Sequence, residues 1–174
     1  MVRATDFIFN GKKLGSMSVG CMRFDGRKQA GELIPYCAEN GAIFLDTSPM
    51  YSYQSETENN ETWVGAAIKG IRDKVILSAK CSPGNGGDGI GSFNKKHGFS
   101  VQTADQVRSV IEQSLKRLEV DKFDVYQLWT VSDEPVYKSA FKKGGWLEGV
   151  MKAKEEGLVE HICCTTHCDG QETA

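Results

Sequence analysis

The sequence predicts an α/β fold in which parallel strands alternate with helices that cover the sheet. Three observations carry that expectation. Short runs that are apolar on both faces recur along the chain, such as Ala42-Ile43-Phe44-Leu45 and Val75-Ile76-Leu77, and strands of that kind belong to parallel sheets buried by helices. Segments with apolar residues at helical spacing stand between those runs. The chain has 174 residues, 40% hydrophobic and 25% charged, an ordinary globular mixture long enough for a real core.

Taken in order, the first element is a hairpin. Asn10-Gly11 lies between short extended runs in Phe7–Leu14, and both central residues of a type I′ turn need positive φ. A short strand is expected over Met17–Met22. A helix follows over Arg27–Asn40, with Ala30, Leu33, Ile34, Cys37 and Ala38 on one face and Gly41 closing it. Pro35 inside it should kink or shorten it. The apolar run from Ala42 then leads to Asp46.

A second helix is expected over Glu58–Gly70, with Trp63, Val64, Ala67 and Ile68 as its stripe. Lys74–Lys80 reads as a buried strand, and a glycine-rich stretch, Cys81–Phe99, follows. The third helix opens at Thr103, with Gln106 at capping-box spacing, and Val107, Val110, Ile111, Leu115 and Leu118 share one face. Phe123–Thr130 is a strand, Trp146–Glu156 a helix ended by Gly157, and Val159–Thr166 the fifth strand of the series.

Two architectures fit this alternation: an open doubly wound sheet, and a (β/α)8 TIM barrel. Asp169 with Glu172 has the spacing of a helix start. A barrel usually needs about 250 residues and eight strands. The expectation is therefore a barrel truncated at its C-terminal side to about five strands, with an N-terminal hairpin and residues 1–174 as one domain. The alternative is a complete open sheet with a frayed tail.

The net charge of −2 gives no reason to expect nucleic acid or an anionic membrane as partner. No apolar run approaches the roughly 20 residues of a membrane helix, and Met1–Asp6 does not read as a signal peptide. The cysteines are Cys21, Cys37, Cys81, Cys163, Cys164 and Cys168. Without a secretory signal they read as reduced thiols in a cytoplasmic protein.

In parallel α/β folds the useful side chains stand at the carboxyl ends of strands. Those ends carry Asp46 to Tyr51, then Lys80, then Trp129, then Thr165-Thr166-His167. Asp46 and Lys80 each follow an apolar run, where a charge is costly unless paired. A lysine beside a tyrosine favours the phenolate and so eases proton transfer. On residue types alone a blander account stands beside this one. Asp46 would cap a turn, Lys80 would reach solvent, and Tyr51 would pack in a loop.

The run Phe44-Leu45-Asp46-Thr47-Ser48-Pro49-Met50-Tyr51 resembles the Asp-Thr-Ala-x-x-Tyr motif of the aldo-keto reductases. Further matches follow in the order of that family. They are Arg72-Asp73-Lys74-Val75 leading to Lys80, Ser114-Leu115-Lys116-Arg117-Leu118, Phe123-Asp124-Val125-Tyr126-Gln127-Leu128, and Lys154-Glu155-Glu156-Gly157. Gly20-Cys21-Met22-Arg23-Phe24 and Thr166-His167 most resemble the branch whose members often carry a C-terminal iron–sulfur segment.

The resemblance implies the N-terminal part of a barrel that exchanges hydride between a nicotinamide, NADPH or NADH, and a carbonyl or alcohol substrate. It implies Tyr51 as general acid, with Lys80 easing its ionisation and Asp46 holding Lys80. It places Asp46, Thr165 and Thr166 at the cofactor. Thr165 stands where the family often has a Ser that contacts the carboxamide, and Thr166 where many members have Asn. Trp129 replaces the usual His. An indole donates one hydrogen bond and does not titrate, so it can donate to a carbonyl oxygen or stack on a ring.

Other motifs carry less. Gly84-Asn85-Gly86-Gly87-Asp88-Gly89 spells G-x-G-x-x-G, but Pro83 precedes it and no helix starts on its last glycine, so it reads as a loop over the active face. His97 reads as a solvated loop residue. Cys163, Cys164, Cys168 and His167 suggest a metal site by composition only, because neighbouring strand residues face opposite ways. No metal is expected there, and at least one of Cys163 and Cys164 should be a core thiol. His161 reads as structural, and Trp63 and Trp146 as core.

Three functional expectations follow. One is a nicotinamide-dependent reductase with a small-molecule substrate. Another is a non-catalytic binding or regulatory module on a reductase scaffold. The third is an incomplete inactive fragment whose open strand edges drive association.

Overall fold

The computed structural model describes residues 3–82, 96–131 and 134–166. The chain divides into two units, residues 1–78 with 117–120 and residues 79–116 with 121–174. The glycine-rich segment, Cys168 and the Asp169–Glu172 helix start fall outside the described residues in whole or in most part.

In the first unit, β1 (Ala4–Phe9) and β2 (Lys12–Gly15) form the expected antiparallel hairpin. Asn10 and Gly11 turn it with φ of 50° and 72°, the left-handed pair a type I′ turn requires. β3 is only Val19–Gly20, shorter than the expected Met17–Met22, because a 3-10 turn over Cys21–Arg23 ends it.

Helix α1 (Arg27–Glu39) runs on through Pro35, so the proline does not shorten it. Its buried face is narrower than its pattern: Ala30 and Ile34 are fully buried, whereas Leu33 is 41% exposed. Gly41, at φ 93°, turns the chain into β4 (Phe44–Asp46). Helix α2 (Asn60–Ile68) packs against α1. Asn59 caps it and forms a reciprocal capping box with Thr62.

Strand β5 (Ile76–Cys81) pairs in parallel with β4, Leu45 opposite Leu77 and Asp46 opposite Ser78. All six of its residues are buried. Leu45, Ile34, Ile68, Ile76, Leu77 and Leu118 are fully buried here. Gly65 is required at its position, because a Cβ there would lie 2.4 Å from the Leu118 carbonyl oxygen.

The second unit contains most of α3 (Ala104–Leu118), with β6 (Phe123–Trp129), α4 (Glu134–Phe141), α5 (Trp146–Glu155) and β7 (Val159–Thr165). The α3 capping box forms as read: the Gln106 amide donates to the Thr103 hydroxyl, and the Thr103 amide to Gln106 Oε1. Phe99, Ile111, Phe123, Tyr126 and Trp146 fill the core.

Sequence reading missed α4. It is only eight residues long, and Val136, Tyr137, Ala140 and Phe141, though they share one side, make too short a pattern to announce a helix. Val136 and Ala140 are buried, while Tyr137 and Phe141 stack on its exposed side with ring centroids 4.4 Å apart.

The strand order is β3-β4-β5-β6-β7, and every pairing described in that sheet is parallel. Among the described residues no helix is long and apolar enough to cross a membrane.

Candidate functional site

In the first unit the carboxyl end of β4 is built by short-range hydrogen bonds. Beyond Asp46, the Thr47 amide donates to the Ser78 carbonyl at 2.9 Å and extends the strand pairing by one residue. The chain then turns. The Tyr51 amide donates to the Ser48 carbonyl at 3.1 Å, and the Met50 amide donates to Ser48 Oγ at 3.4 Å. Thr47 and Ser48 are fully buried. Asp46 and Tyr51 are partly exposed.

The start of α2 closes on this turn. An α-helix leaves its first amides without partners inside the helix. Here the Asn60 amide donates to the Tyr51 carbonyl at 3.2 Å. Its side chain accepts from the Thr47 hydroxyl at 2.7 Å and donates to the Cys21 carbonyl at 2.7 Å. A single fully buried residue thus joins the segment after β4 to the turn after β3.

Between Tyr51 and α2 the loop folds on itself. The amides of Gln54 and Ser55 both donate to the Glu58 carbonyl at 3.0 Å. Asn59 Nδ2 donates to the Ser55 carbonyl at 2.8 Å. Arg117, at the C-terminal end of α3, fastens the loop from beneath. Its Nε donates to Glu61 Oε2 at 2.7 Å and its Nη1 to Glu56 Oε2 at 3.2 Å. The Tyr53 hydroxyl donates to the other Glu56 oxygen at 2.5 Å.

The Arg117 side chain is 3% exposed and that of Glu61 1%. Burial alone would push the guanidinium down, but the Glu61 and Glu56 carboxylates outweigh it and hold it above its ordinary range. Partial burial, then Glu56, raise the Tyr53 phenol.

The second unit carries the other predicted residues. Lys80 is 4% exposed within the buried strand β5. It stands two residues beyond Ser78, on the same face of that strand. Cys81 is buried, with Sγ 3.9 Å from the Gln127 carbonyl, and burial pushes its thiol up to about 12. Trp129 ends β6 opposite Thr165 of β7. The Thr165 Oγ1 atom is buried and has no hydrogen-bond partner among the described residues. A buried hydroxyl left so is costly, and an amide ligand would satisfy it. Thr166 is the last residue described.

All predicted site residues therefore stand at or just past the carboxyl ends of β4, β5, β6 and β7. Sequence reading missed Asn60, Glu56 and Glu61, and gave Arg117 no role. The available signal was Asn59-Asn60-Glu61 at a helix start. It reads as capping, yet Asn59 alone performs that task and Asn60 turns inward. One expectation is corrected: Cys163 and Cys164 are both exposed, in a strand that pairs with β6 alone among the described residues. Trp63 and Trp146 are core residues, 3% and 0% exposed. Among the described residues no group of three His, Cys, Asp or Glu could hold a metal ion.

Residues 14–168 match the Aldo/keto reductase family. The aldo-keto reductase YhdN of Bacillus subtilis is 31% identical over 134 residues, covering 73% of this chain and 36% of that protein. Probable aldo-keto reductase 1 of Glycine max is 28% identical over 161 residues, covering 87% of this chain and 41% of that protein. The chain thus spans less than half the length of these relatives.

Among solved structures, an aldo-keto reductase from Klebsiella pneumoniae in complex with NADPH superposes with a TM-score of 0.69 at 21% identity, over 99% of this chain and 52% of that one. The holo form of an aldo-keto reductase from Bacillus halodurans gives 0.67 at 21% identity, over 96% and 51%. The fold is thus the α/β barrel architecture of these proteins, represented here by five strands of its parallel sheet.

Proposed function

The chain belongs to the aldo/keto reductase family, and from that premise we propose that it carries the proton-transfer residues of a nicotinamide-dependent carbonyl reductase or alcohol dehydrogenase. The observation that supports this most is Lys80, a lysine 4% exposed in a strand whose six residues are all buried. Burial of that kind costs several kcal/mol by general estimates unless a partner offsets it, and function is a common reason for it.

In this reading Tyr51 is the general acid. Its phenol gives a proton to the carbonyl oxygen as hydride reaches the carbonyl carbon, and the product is the alcohol. Lys80 stabilises the phenolate left behind, and Asp46 balances the lysine charge. Trp129 donates its indole N–H to the substrate oxygen or stacks on a substrate ring.

A nicotinamide cofactor, when bound, supplies the hydride. Asp46, Thr165 and Thr166 would hold it. The Thr165 Oγ1, buried without a partner among the described residues, suits an amide group of that ligand, and the Klebsiella relative was crystallised with NADPH. The expected substrate is a small carbonyl compound or alcohol.

A second reading, a binding module without turnover, draws on Trp129, which cannot transfer a proton. The deciding experiment titrates NADPH, then NADH, into the purified chain by nicotinamide fluorescence and follows with a panel of carbonyl compounds. Turnover that Tyr51→Phe abolishes is expected. Saturable binding without turnover of any carbonyl supports the module instead, and turnover unchanged in Tyr51→Phe removes Tyr51 as the acid.

A further inference from the structure

We infer that Asn60 is a positioning residue for Tyr51, acting through Thr47 and the backbone of the turn that connects them. The inference rests on the reading of Tyr51 as the acid. Three bonds carry it. The Asn60 amide N–H holds the Tyr51 carbonyl at 3.2 Å. Asn60 Oδ1 accepts from the Thr47 hydroxyl at 2.7 Å. Asn60 Nδ2 donates to the Cys21 carbonyl at 2.7 Å.

The two ends of the turn, Thr47 and Tyr51, are therefore tied to one residue of a packed helix, and that residue is tied in turn to the end of β3. Helix capping does not account for this. Asn59 already caps α2 through its bond from the Thr62 amide at 3.0 Å, and a side chain at the next position is free to point elsewhere.

The chemistry also selects the residue type. The position needs an acceptor for a hydroxyl and a donor for a carbonyl within one short planar group, and only Asn supplies both at this length. Aspartate would keep the Thr47 contact and lose the donor to Cys21. Alanine would lose both. A catalytic group must be held to within about half an ångström of its productive place. The loop after Tyr51 has its own fastening through Glu56 and Arg117, so Asn60 governs the turn before Tyr51 and not the loop after it.

The test uses the full chain and two readouts. Amide hydrogen exchange is followed at Tyr51 and at residue 60, with Ile76, whose amide bonds to the Ile43 carbonyl, as reference. Turnover is followed with NADPH and 4-nitrobenzaldehyde. In Asn60→Ala, exchange at both amides should rise at least tenfold while Ile76 keeps its parental rate, and kcat should fall with KM for the aldehyde little changed. Thr47→Val should reproduce the effect through the hydroxyl arm alone. Thr47→Ser, which retains the hydroxyl, should restore parental behaviour.

Parental exchange at Tyr51 in both Asn60→Ala and Thr47→Val overturns the inference, as does a rise shared equally by Ile76, which would mark general destabilisation. Thr47→Val keeps the question open to measurement if Asn60→Ala does not fold. Turnover that persists in Tyr51→Phe would sink the acid assignment separately and leave the exchange result standing.

Discussion

Trp129 and Thr165 stand directly opposite one another in the parallel register of β6 and β7, each the last residue of its strand. A large indole and a small hydroxyl are thereby set side by side at the edge where ligands of such sheets are bound. The Thr165 hydroxyl has no partner among the described residues, so its removal should cost the folded chain nothing.

Thr165→Val keeps the β-branched shape and deletes Oγ1. Thermal stability should hold or rise by up to about 1 kcal/mol, since a buried unsatisfied group is lost. The Kd for NADPH should rise roughly two- to tenfold, the value of one hydrogen bond. A fluorescence titration alongside a melting curve checks both. An unchanged Kd would remove Thr165 from the cofactor site.

Arg117 should be among the most sensitive positions for stability. Its truncation to Ala leaves Glu61, 1% exposed, as a buried charge without its cation. That should cost about 3–5 kcal/mol, read as the shift in urea denaturation midpoint. The pair Arg117→Met with Glu61→Leu should recover much of the loss, because neither variant side chain is charged. Equal destabilisation by the single and double variants would contradict this account.

Gly65→Ala should destabilise through overpacking. The new Cβ would meet the backbone of Leu118, which cannot swing aside as a side chain can, and a cost of about 1–3 kcal/mol is expected. Gly31→Ala is the control. Beyond its chain neighbours and the helix's own backbone, no atom lies within 4 Å of a Cβ there, and in a helix alanine should gain a few tenths to about 1 kcal/mol. Chemical denaturation of both variants decides the comparison.

Thiol chemistry should divide the cysteines by position. Cys81 is buried, and its thiol is pushed up to about 12 by burial, so the thiolate is scarce at neutral pH. Iodoacetamide at pH 7.5 should modify Cys163 and Cys164, which are exposed, and spare Cys21 and Cys81 in the native chain. Peptide mass mapping reads the result. Alkylation of Cys81 at the rate of Cys164 would show that β5 opens far more readily than a central strand should.

The order of elements was legible in the residues themselves. Asn10-Gly11 determined a hairpin, because few other pairs accept two positive φ values. Thr103 and Gln106 marked the start of α3, because a capping box is local chemistry. The apolar runs before Asp46 and Lys80 determined buried strands and so placed both residues at carboxyl ends. What a short stretch of chain can satisfy within itself, its sequence announces.

Only the tertiary structure decided the rest. Asn60 and Arg117 bond across 39 and 56 residues of sequence to Cys21 and Glu61, and no periodicity records a partner so far away. Cys163 and Cys164 are exposed in a strand that pairs with β6 alone among the described residues, although their sequence reads like any buried run. The narrowing of α1 to Ala30 and Ile34 depended likewise on what packs against it. Hydrogen bonding and burial are properties of the surroundings that a residue acquires on folding, and the surroundings of these residues come from elsewhere in the chain.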